Sequence, residues 1–444
     1  MMAGAAMLPV ALLAQTDGPE ARLLFDVLSG PGSEAKAALT AIEKGNRRDM
    51  VAGLILTLRF RPERAEDIDR VLRRLTGARS GDWFDWMLWQ EAHPDVIPHP
   101  SYAEFMRGLY LQIDPNFERF LRPESLARDK ALIRIEEIAW GGVGKDGIPS
   151  LDNPTMIAAS EADYMRADDL VFGVEIAGDV RAYPLRIMGW HEMFNEIIGG
   201  VPVALAYCTL CGAGILYETR VKGRAKPLVF GSSGFLYRSN KLMFDRQTDT
   251  LWNQFTGRPV VGPLAGSGIE LVRRPVVITT WQDWQKTHPD TRILSLGTGH
   301  QRDYRSGAVY QEYFASPDLM FPALADKRLS LKDYVFGIQQ FGAAKAWPLQ
   351  AFAKRSVIND KVGNLAVVLV GTADTRTVRA YERGTREFRA DGDGLRDAQG
   401  AAWKLTEAGL TGPGGEVLPR VAGQVSYWFA WDGYLGDAAE LYRP

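Results

Sequence analysis

The stretch Asp169-Leu170-Val171-Phe172-Gly173 returns later in the chain as Asp333-Tyr334-Val335-Phe336-Gly337. The same offset in residue number, with no gap, places Ala182-Tyr183-Pro184-Leu185 on Ala346-Trp347-Pro348-Leu349, and 14 of the 50 positions from 169 to 218 are identical. Ordinary residue frequencies would give about three identities by chance. The sequence therefore predicts a tandem duplication, and this duplication sets the architecture of the protein.

Both copies consist of short β-like runs separated by Gly-rich turns, and both close on an aromatic pair, Trp281 with Trp284 and Trp428 with Trp431. The predicted fold class is α+β, with tandem-duplicated β-rich units and short helices. We assign the first unit to residues 130–325 and the second, degenerate unit to residues 326–444.

The sequence before the repeat has a different pattern, because residues 19–125 carry apolar side chains at spacings of three and four. These spacings predict an all-α N-terminal region. Its predicted helices are Arg22–Leu28, Ser33–Lys44, Arg48–Leu58, Ala65–Leu75 and Tyr102–Tyr110.

Composition limits the partners. The 444 residues contain 52 Lys and Arg against 54 Asp and Glu, so no positive excess is available to hold a nucleic-acid backbone or an anionic membrane surface. After the N-terminal segment, no stretch reaches the roughly 18 to 20 apolar residues of a membrane-spanning helix. A small-molecule or protein substrate is left open.

Residues 1–18 form a candidate signal segment. Residues 1–15 are apolar and rich in alanine, although no basic residue precedes Arg22. We expect a periplasmic or secreted protein if the segment is a signal, and a cytoplasmic one otherwise.

The repeat separates residues that hold the unit together from residues that one copy keeps for itself. One imidazole and two thiols occur only in the first copy: His191, Cys208 and Cys211 align with Arg355, Thr372 and Thr375. Because the second copy lacks these groups, we infer that the fold does not require them.

These three side chains form the candidate site. Leu185–Ile198 reads as a helix that turns His191 inward, and the following strand leads into Cys208-Thr209-Leu210-Cys211. Two thiolates and an imidazole suit a transition metal, Zn or Cu, in a site with one further ligand position. Five other polar residues are candidates for lining this site: Glu192, Asn195, Tyr237, Asn240 and Asp245.

The same residues allow other interpretations. A Cys-x-x-Cys pair can act as a redox dithiol, in which one thiol attacks and the second resolves the mixed disulfide, or it can form a simple disulfide. The surrounding pattern lacks the helix that such a pair opens in thioredoxin-like proteins, since a strand resumes after Gly214. Inert buried thiols, in a binding module whose helical region recruits a partner, are a third interpretation. Whether the protein is an enzyme stays open.

Several motifs together resemble a bacterial domain-of-unknown-function family, number 3179. They are Trp190-His191-Glu192 with Asn195, Val201-Pro202-Val203 leading into Tyr207-Cys208-Thr209-Leu210-Cys211-Gly212, Ser233-Gly234-Phe235-Leu236-Tyr237, and Asp245-Arg246-Gln247-Thr248 leading to Leu251-Trp252. The resemblance covers about Ile135 to the C-terminus, and Thr209 stands where the family usually has Pro. It implies an often exported protein and no established activity.

Overall fold

The structure is a computed structural model that describes residues 19–79, 81–436 and 439–443. Its α-helices are α1 (Pro19–Ser29), α2 (Gly32–Lys44), α3 (Val51–Phe60), α4 (Ala65–Thr76), α5 (Trp83–Ala92), α6 (Tyr102–Ile113), α7 (Pro123–Leu126), α8 (Leu185–His191), α9 (Trp281–Thr287), α10 (Gln311–Ala315) and α11 (Trp428–Leu435). The candidate signal segment, residues 1–18, lies outside the described residues. None of the helices in the described ranges has the length and apolar character needed to cross a bilayer.

The N-terminal region is helical, as predicted, but two helices were missed, the four-residue α7 and the longer α5. Helix α5 begins after Asp82, whose side chain accepts a hydrogen bond from the Asp85 N–H at 3.0 Å. Its aromatic residues are spread around the helix, so it shows no amphipathic period. The region packs on the first repeat, where Phe117 meets Phe235 with ring centroids 4.4 Å apart.

The strands follow in chain order. They are β1 (Ile138–Trp140), β2 (Leu151–Asp152), β3 (Met156–Ala158), β4 (Leu170–Ile176), β5 (Asp179–Pro184), β6 (Met193–Ile198), β7 (Val201–Cys208), β8 (Ala213–Glu218), β9 (Phe230–Tyr237), β10 (Asn240–Asp245), β11 (Leu251–Asn253), β12 (Arg258–Val261), β13 (Val272–Arg274), β14 (Val277–Thr280), β15 (Arg292–Leu294), β16 (Tyr334–Gln340), β17 (Ala343–Pro348), β18 (Val357–Val362), β19 (Leu365–Thr372), β20 (Thr377–Glu382), β21 (Phe388–Asp391), β22 (Gly394–Asp397), β23 (Ala402–Leu405), β24 (Gly409–Thr411), β25 (Val417–Val421), β26 (Gln424–Tyr427) and β27 (Ala439–Leu441).

The duplication predicted from the sequence is confirmed by the strands. Each of β4 to β8 begins and ends at the repeat offset from its counterpart among β16 to β20. The first copy contains a sheet of order β14-β4-β5-β15-β3, and the second contains one of order β26-β16-β17-β27. In both sheets the central hairpin is antiparallel and the pairing with β15 or β27 is parallel. The α+β fold class with a helical N-terminal region is therefore confirmed.

Residues that are identical in the two copies make equivalent contacts. The Asn195 side chain donates to the Phe230 carbonyl at 2.8 Å and accepts from its N–H at 2.8 Å. Asn359 makes the same two bonds to Phe388, at 2.7 and 2.9 Å. In the first copy the asparagine clamp joins β6 to β9 of another sheet, and in the second copy it joins β18 to β21, the two ends of one eight-stranded sheet. The predicted boundaries near residues 130 and 325 stay predictions, since the connection between the copies, residues 295–333, contacts both.

The predicted helix Leu185–Ile198 is only half right. Helix α8 ends at His191, and Glu192 adopts a left-handed conformation with φ of 54° that directs the chain into strand β6. Phe194 and Ile198 are therefore strand residues. Their spacing of four fits both the helical period of 3.6 residues and the strand period of two. Residues Met193–Ile198 form a strand because they pair with β7, and this pairing outweighs the local helical pattern.

A tryptophan ring lies against a strand glycine in each copy. A Cβ atom added to Gly173 would stand 2.3 Å from the Trp284 ring, and one added to Gly337 would stand 1.9 Å from the Trp431 ring. Both rings are fully buried. No side chain other than hydrogen fits these two strand positions without displacing the ring.

We expect Gly173→Ala to lower the free energy of unfolding by about 1 to 3 kcal/mol, because the buried indole cannot move away without disturbing its own packing. Gly32→Ala is the matched control, since an added Cβ there meets nothing within 4 Å. Urea denaturation followed by tryptophan fluorescence measures both variants. Equal stability of the two variants would contradict the packing argument.

Candidate functional site

The two cysteines lie in a tight turn between strands β7 and β8. Cys208 ends β7, a single 3₁₀ turn spans Thr209–Cys211, and Gly212 follows with a left-handed φ of 60°. The sulfurs form a disulfide, with the two Cα atoms 5.3 Å apart. Cys208 is 2% exposed and Cys211 is fully buried. The pair predicted from the sequence is therefore in its oxidised form.

The second copy builds the corresponding turn without sulfur. The Thr372 and Thr375 hydroxyls, at the positions of the cysteines, are hydrogen-bonded at 2.6 Å. The flanking strands β19 and β20 pair in the same register as β7 and β8. A polar pair can thus replace the disulfide without changing the hairpin.

A buried charged pair is attached to the disulfide turn. Glu192 accepts a hydrogen bond from the Thr209 hydroxyl at 2.5 Å and one from the Lys241 ammonium at 2.9 Å. Lys241 is 3% exposed and Glu192 is 7% exposed. The second copy has Ser356 at the position of Glu192. This charged pair is therefore, like the cysteines, a feature of the first copy alone. Its burial is costly, because two charges are removed from water.

The connecting segment between the copies covers the turn. The Tyr313 hydroxyl, at the middle of α10, donates to the Leu210 carbonyl at 2.6 Å. Burial, and then the Glu192 carboxylate, raise the pKa of the neighbouring Tyr310. On another side, the Cys211 sulfur lies 3.4 Å from the Ser239 carbonyl oxygen. The turn is therefore enclosed by polar groups that belong to two other segments.

His191 occupies a second, adjacent centre. Its Nδ1 lies 2.9 Å from the Pro149 carbonyl oxygen, which can only accept, so Nδ1 carries the proton. Its Nε2 then accepts from the Tyr304 hydroxyl at 2.5 Å. Burial lowers the pKa of His191 to about 4, with smaller contributions from His300 and Arg302. The ring is a neutral hydrogen-bond bridge at neutral pH.

The backbone brings the two centres together. The Glu192 carbonyl accepts a hydrogen bond from the Tyr207 N–H at 2.7 Å. His191 precedes Glu192 in the chain and Cys208 follows Tyr207, so this bond brings their backbones close together. Their side chains have separate partners, however. In the described ranges no three or more His, Cys, Asp and Glu side chains form a group that could hold a metal ion. The predicted donor set is not assembled in this disulfide form, and Zn or Cu binding stays a prediction.

The structure gives the other candidate lining residues different surroundings. Asn195 forms the clamp of the first copy. Asp245 accepts from the Trp252 indole at 2.9 Å, and Asp397 does the same for Trp403 in the second copy, also at 2.9 Å. Both kinds of contact recur in the repeat and hold the fold.

Tyr237 and Asn240 flank the turn between β9 and β10. Tyr237 lines an apolar cavity of about 980 Å³ beside the helical region, and neither cysteine lines it. Asn240 is fully buried, and its side-chain nitrogen and oxygen have no hydrogen-bond partner among the described residues. Of the five candidates, Glu192 alone has a side-chain hydrogen bond to the disulfide turn in the described part of the chain.

Sequence reasoning missed the residues that surround the turn from distant parts of the chain. Lys241, Tyr310 and Tyr313 lie well beyond the hairpin that contains Cys208 and belong to no motif with it. A lysine at an inward strand position was the one available signal, because burial of an ammonium group calls for a partner.

The matching family model is that of a protein of unknown function, DUF3179, and it covers residues 145–438. The chain belongs to this family. The family domain covers most of both repeats, together with the disulfide turn and His191, while helices α1 to α7 precede it. No match was found among curated proteins or among solved structures. The DUF3179 assignment confirms the resemblance seen in the sequence and supplies no activity.

We expect the His191 imidazole to titrate near pH 4 in the folded protein, well below its pKa in the unfolded chain, about 6.5. The unfolded chain therefore binds its proton first as the pH falls. The stability contribution of the neutral ring is complete above about pH 6.5 and is lost progressively down to about pH 4.

Histidine ¹H–¹⁵N spectra recorded across this range measure the titration directly. Spectra of His191→Asn, recorded alongside, identify the His191 signals. A His191 titration near 6.5 would contradict the burial argument.

Proposed function

We propose that the Cys208–Cys211 pair is a reversible redox centre and that the protein is a thiol–disulfide protein. Reduction adds two electrons and two protons to the disulfide and yields two thiols, and oxidation by a partner disulfide reverses it. The observation that carries this proposal is the disulfide itself, present in a hairpin whose twin folds without one.

A structural role accounts poorly for this bond. A disulfide that closes so short a loop stabilises a protein by about 2 kcal/mol in the chain-entropy model, at the low end of the usual range. The threonine pair of the second copy supports the same strands with one hydrogen bond. The bond is therefore better explained by its chemistry than by its contribution to stability.

The charged pair beside the turn supports a redox role. Lys241, Glu192 and Thr209 form a chain of hydrogen bonds that ends within the Cys-x-x-Cys turn. Glu192 thereby holds Thr209, the residue that follows Cys208, and so fixes the turn that carries the two thiols of an exchange reaction. We assign Glu192 and Lys241 as positioning residues, since their side chains act on the sulfurs only through the turn.

Equilibration of the purified protein with mixtures of reduced and oxidised dithiothreitol tests the proposal. Thiols are trapped with a maleimide and counted by mass. We expect the folded protein to gain zero or two labels, in a two-electron transition at a potential more oxidising than about −300 mV, since structural disulfides typically lie below that value. Resistance to reduction until the protein unfolds would refute a redox role.

Two variants sharpen this experiment. Cys208→Ser with Cys211→Ser removes the transition. Adding Thr372→Cys and Thr375→Cys to that background places a pair in the same turn geometry without the Glu192 and Lys241 neighbours. We expect the transplanted pair to have a different potential, because no Glu192–Lys241 pair holds the residue between its two thiols. Equal potentials would show that the charged pair has no effect on the cysteines.

Metal analysis of the reduced protein distinguishes the redox proposal from the alternative, a transition-metal site. About one equivalent of Zn or Cu that disappears in Cys208→Ser would support the metal site, with His191 as a further ligand. Absence of metal together with a reversible dithiol transition supports the redox proposal.

The cover over the turn controls access to the sulfurs. Tyr313→Phe removes the hydrogen bond to Leu210 and keeps the ring. We expect dithiothreitol to reduce the disulfide a few-fold faster in this variant, since a typical hydrogen bond contributes about 1 kcal/mol. Tyr442→Phe, at a half-buried tyrosine in the second copy, is the control. Acid quenching and mass counting measure the rate, and an unchanged rate would show that α10 does not limit access.

We also propose that the protein is exported to an oxidising compartment. Disulfides persist in such compartments, and the apolar segment of residues 1–15 resembles a secretory signal. Fractionation of the native host, with N-terminal sequencing of the product, tests this proposal. An uncleaved chain in the cytoplasm would contradict it.

A further inference from the structure

A polar pocket of about 460 Å³ lies beside helix α8, outside the disulfide turn. Three arginines line it, Arg166, Arg186 and Arg305. No carboxylate lines it among the described residues. The rest of its wall is uncharged and consists of Tyr164, Ser306, Gly307, Ala308 and Gln311. Neither the redox proposal nor the family assignment uses this pocket.

Arg186 is held rigidly in the wall of the pocket. Its Nη1 donates to the Tyr164 carbonyl at 2.7 Å and to Asp169 at 2.9 Å, and its Nε donates to the Tyr304 carbonyl. Within the described ranges no hydrogen bond uses its Nη2. The side chain is 12% exposed, so the Nη2 amino group of a fixed guanidinium remains available without further loss of side-chain entropy.

The nearby carboxylates are already occupied. Asp169 accepts from Arg186, from the Arg166 N–H at 2.8 Å and from the Ser306 hydroxyl at 2.5 Å. Asp303 accepts from Nε and Nη2 of Arg305, which leaves Nη1 of that arginine without a partner in the described ranges. These acids orient the donors and are not part of the pocket wall.

The third arginine is nearly free. Arg166 is 71% exposed, and the acidic partner of its side chain is Asp168, 85% exposed, at 4.0 Å. An ion pair of this kind contributes little. The guanidinium can therefore turn toward a ligand in the pocket at small cost.

We propose that this pocket binds an oxyanion, either a free ion such as phosphate or the phosphate group of a small organic molecule. Several N–H donors of planar guanidinium groups match the oxygen atoms of such an anion, and no negative group in the described wall opposes it. A volume of this size also accommodates a ligand larger than the bare ion.

Isothermal titration calorimetry of the full chain with inorganic phosphate and with glycerol phosphate tests the proposal. We expect saturable binding of one equivalent. Tighter binding of glycerol phosphate would identify a phosphomonoester as the ligand class, and equal or weaker binding would identify the free ion. Absence of saturable binding of either probe would overturn the proposal.

Variants locate the binding. Arg166→Ala with Arg305→Ala changes two exposed side chains, and we expect it to weaken binding at least tenfold while the thermal midpoint of unfolding stays unchanged. Arg302→Ala is the matched control, since Arg302 is exposed on the same loop and does not line the pocket. An equal loss in the control would show that general charge, and not this pocket, holds the anion.

Discussion

The hydrogen bond from the Tyr207 N–H to the Glu192 carbonyl, 2.7 Å long, is the contact on which the candidate site depends. It extends the antiparallel pairing of β6 and β7 by one step beyond the last regular pair, Met193 with Ala206. The left-handed conformation of Glu192 makes this extension possible, because the chain leaves helix α8 and enters a strand within one residue. The carboxylate of Glu192 thereby reaches the cysteine turn while His191 stays on the helix.

Two chemical centres result from this geometry. On one side the disulfide turn is bonded to a buried ion pair and covered by the connection between the repeats. On the other side a neutral imidazole bridges a backbone carbonyl and a phenol. The connection between the repeats contributes Tyr313 to the first centre and Tyr304 to the second. A displacement of this segment would therefore break hydrogen bonds in both centres.

The duplication explains why one copy can carry chemistry. The glycine and tryptophan contacts and the asparagine clamps recur in both copies and fix the sheets. The second copy keeps this framework and replaces the polar site residues by arginine, serine and threonine. Stability is therefore provided by the shared positions, and the first copy is free to bury an ion pair that costs stability.

The sequence by itself determined the repeat, the fold class, the helical N-terminal region and the position of the cysteine pair. These features follow from local periodicity and from direct comparison of the chain with itself, and neither needs knowledge of distant contacts. The tertiary structure decided the rest. It ended helix α8 at His191, since strand pairing outweighed an ambiguous local pattern, and it placed Lys241 and Tyr313 around the turn. It also directed the His191 ring to Pro149 and Tyr304, because side-chain partners are set by the packing of segments that lie far apart in the chain.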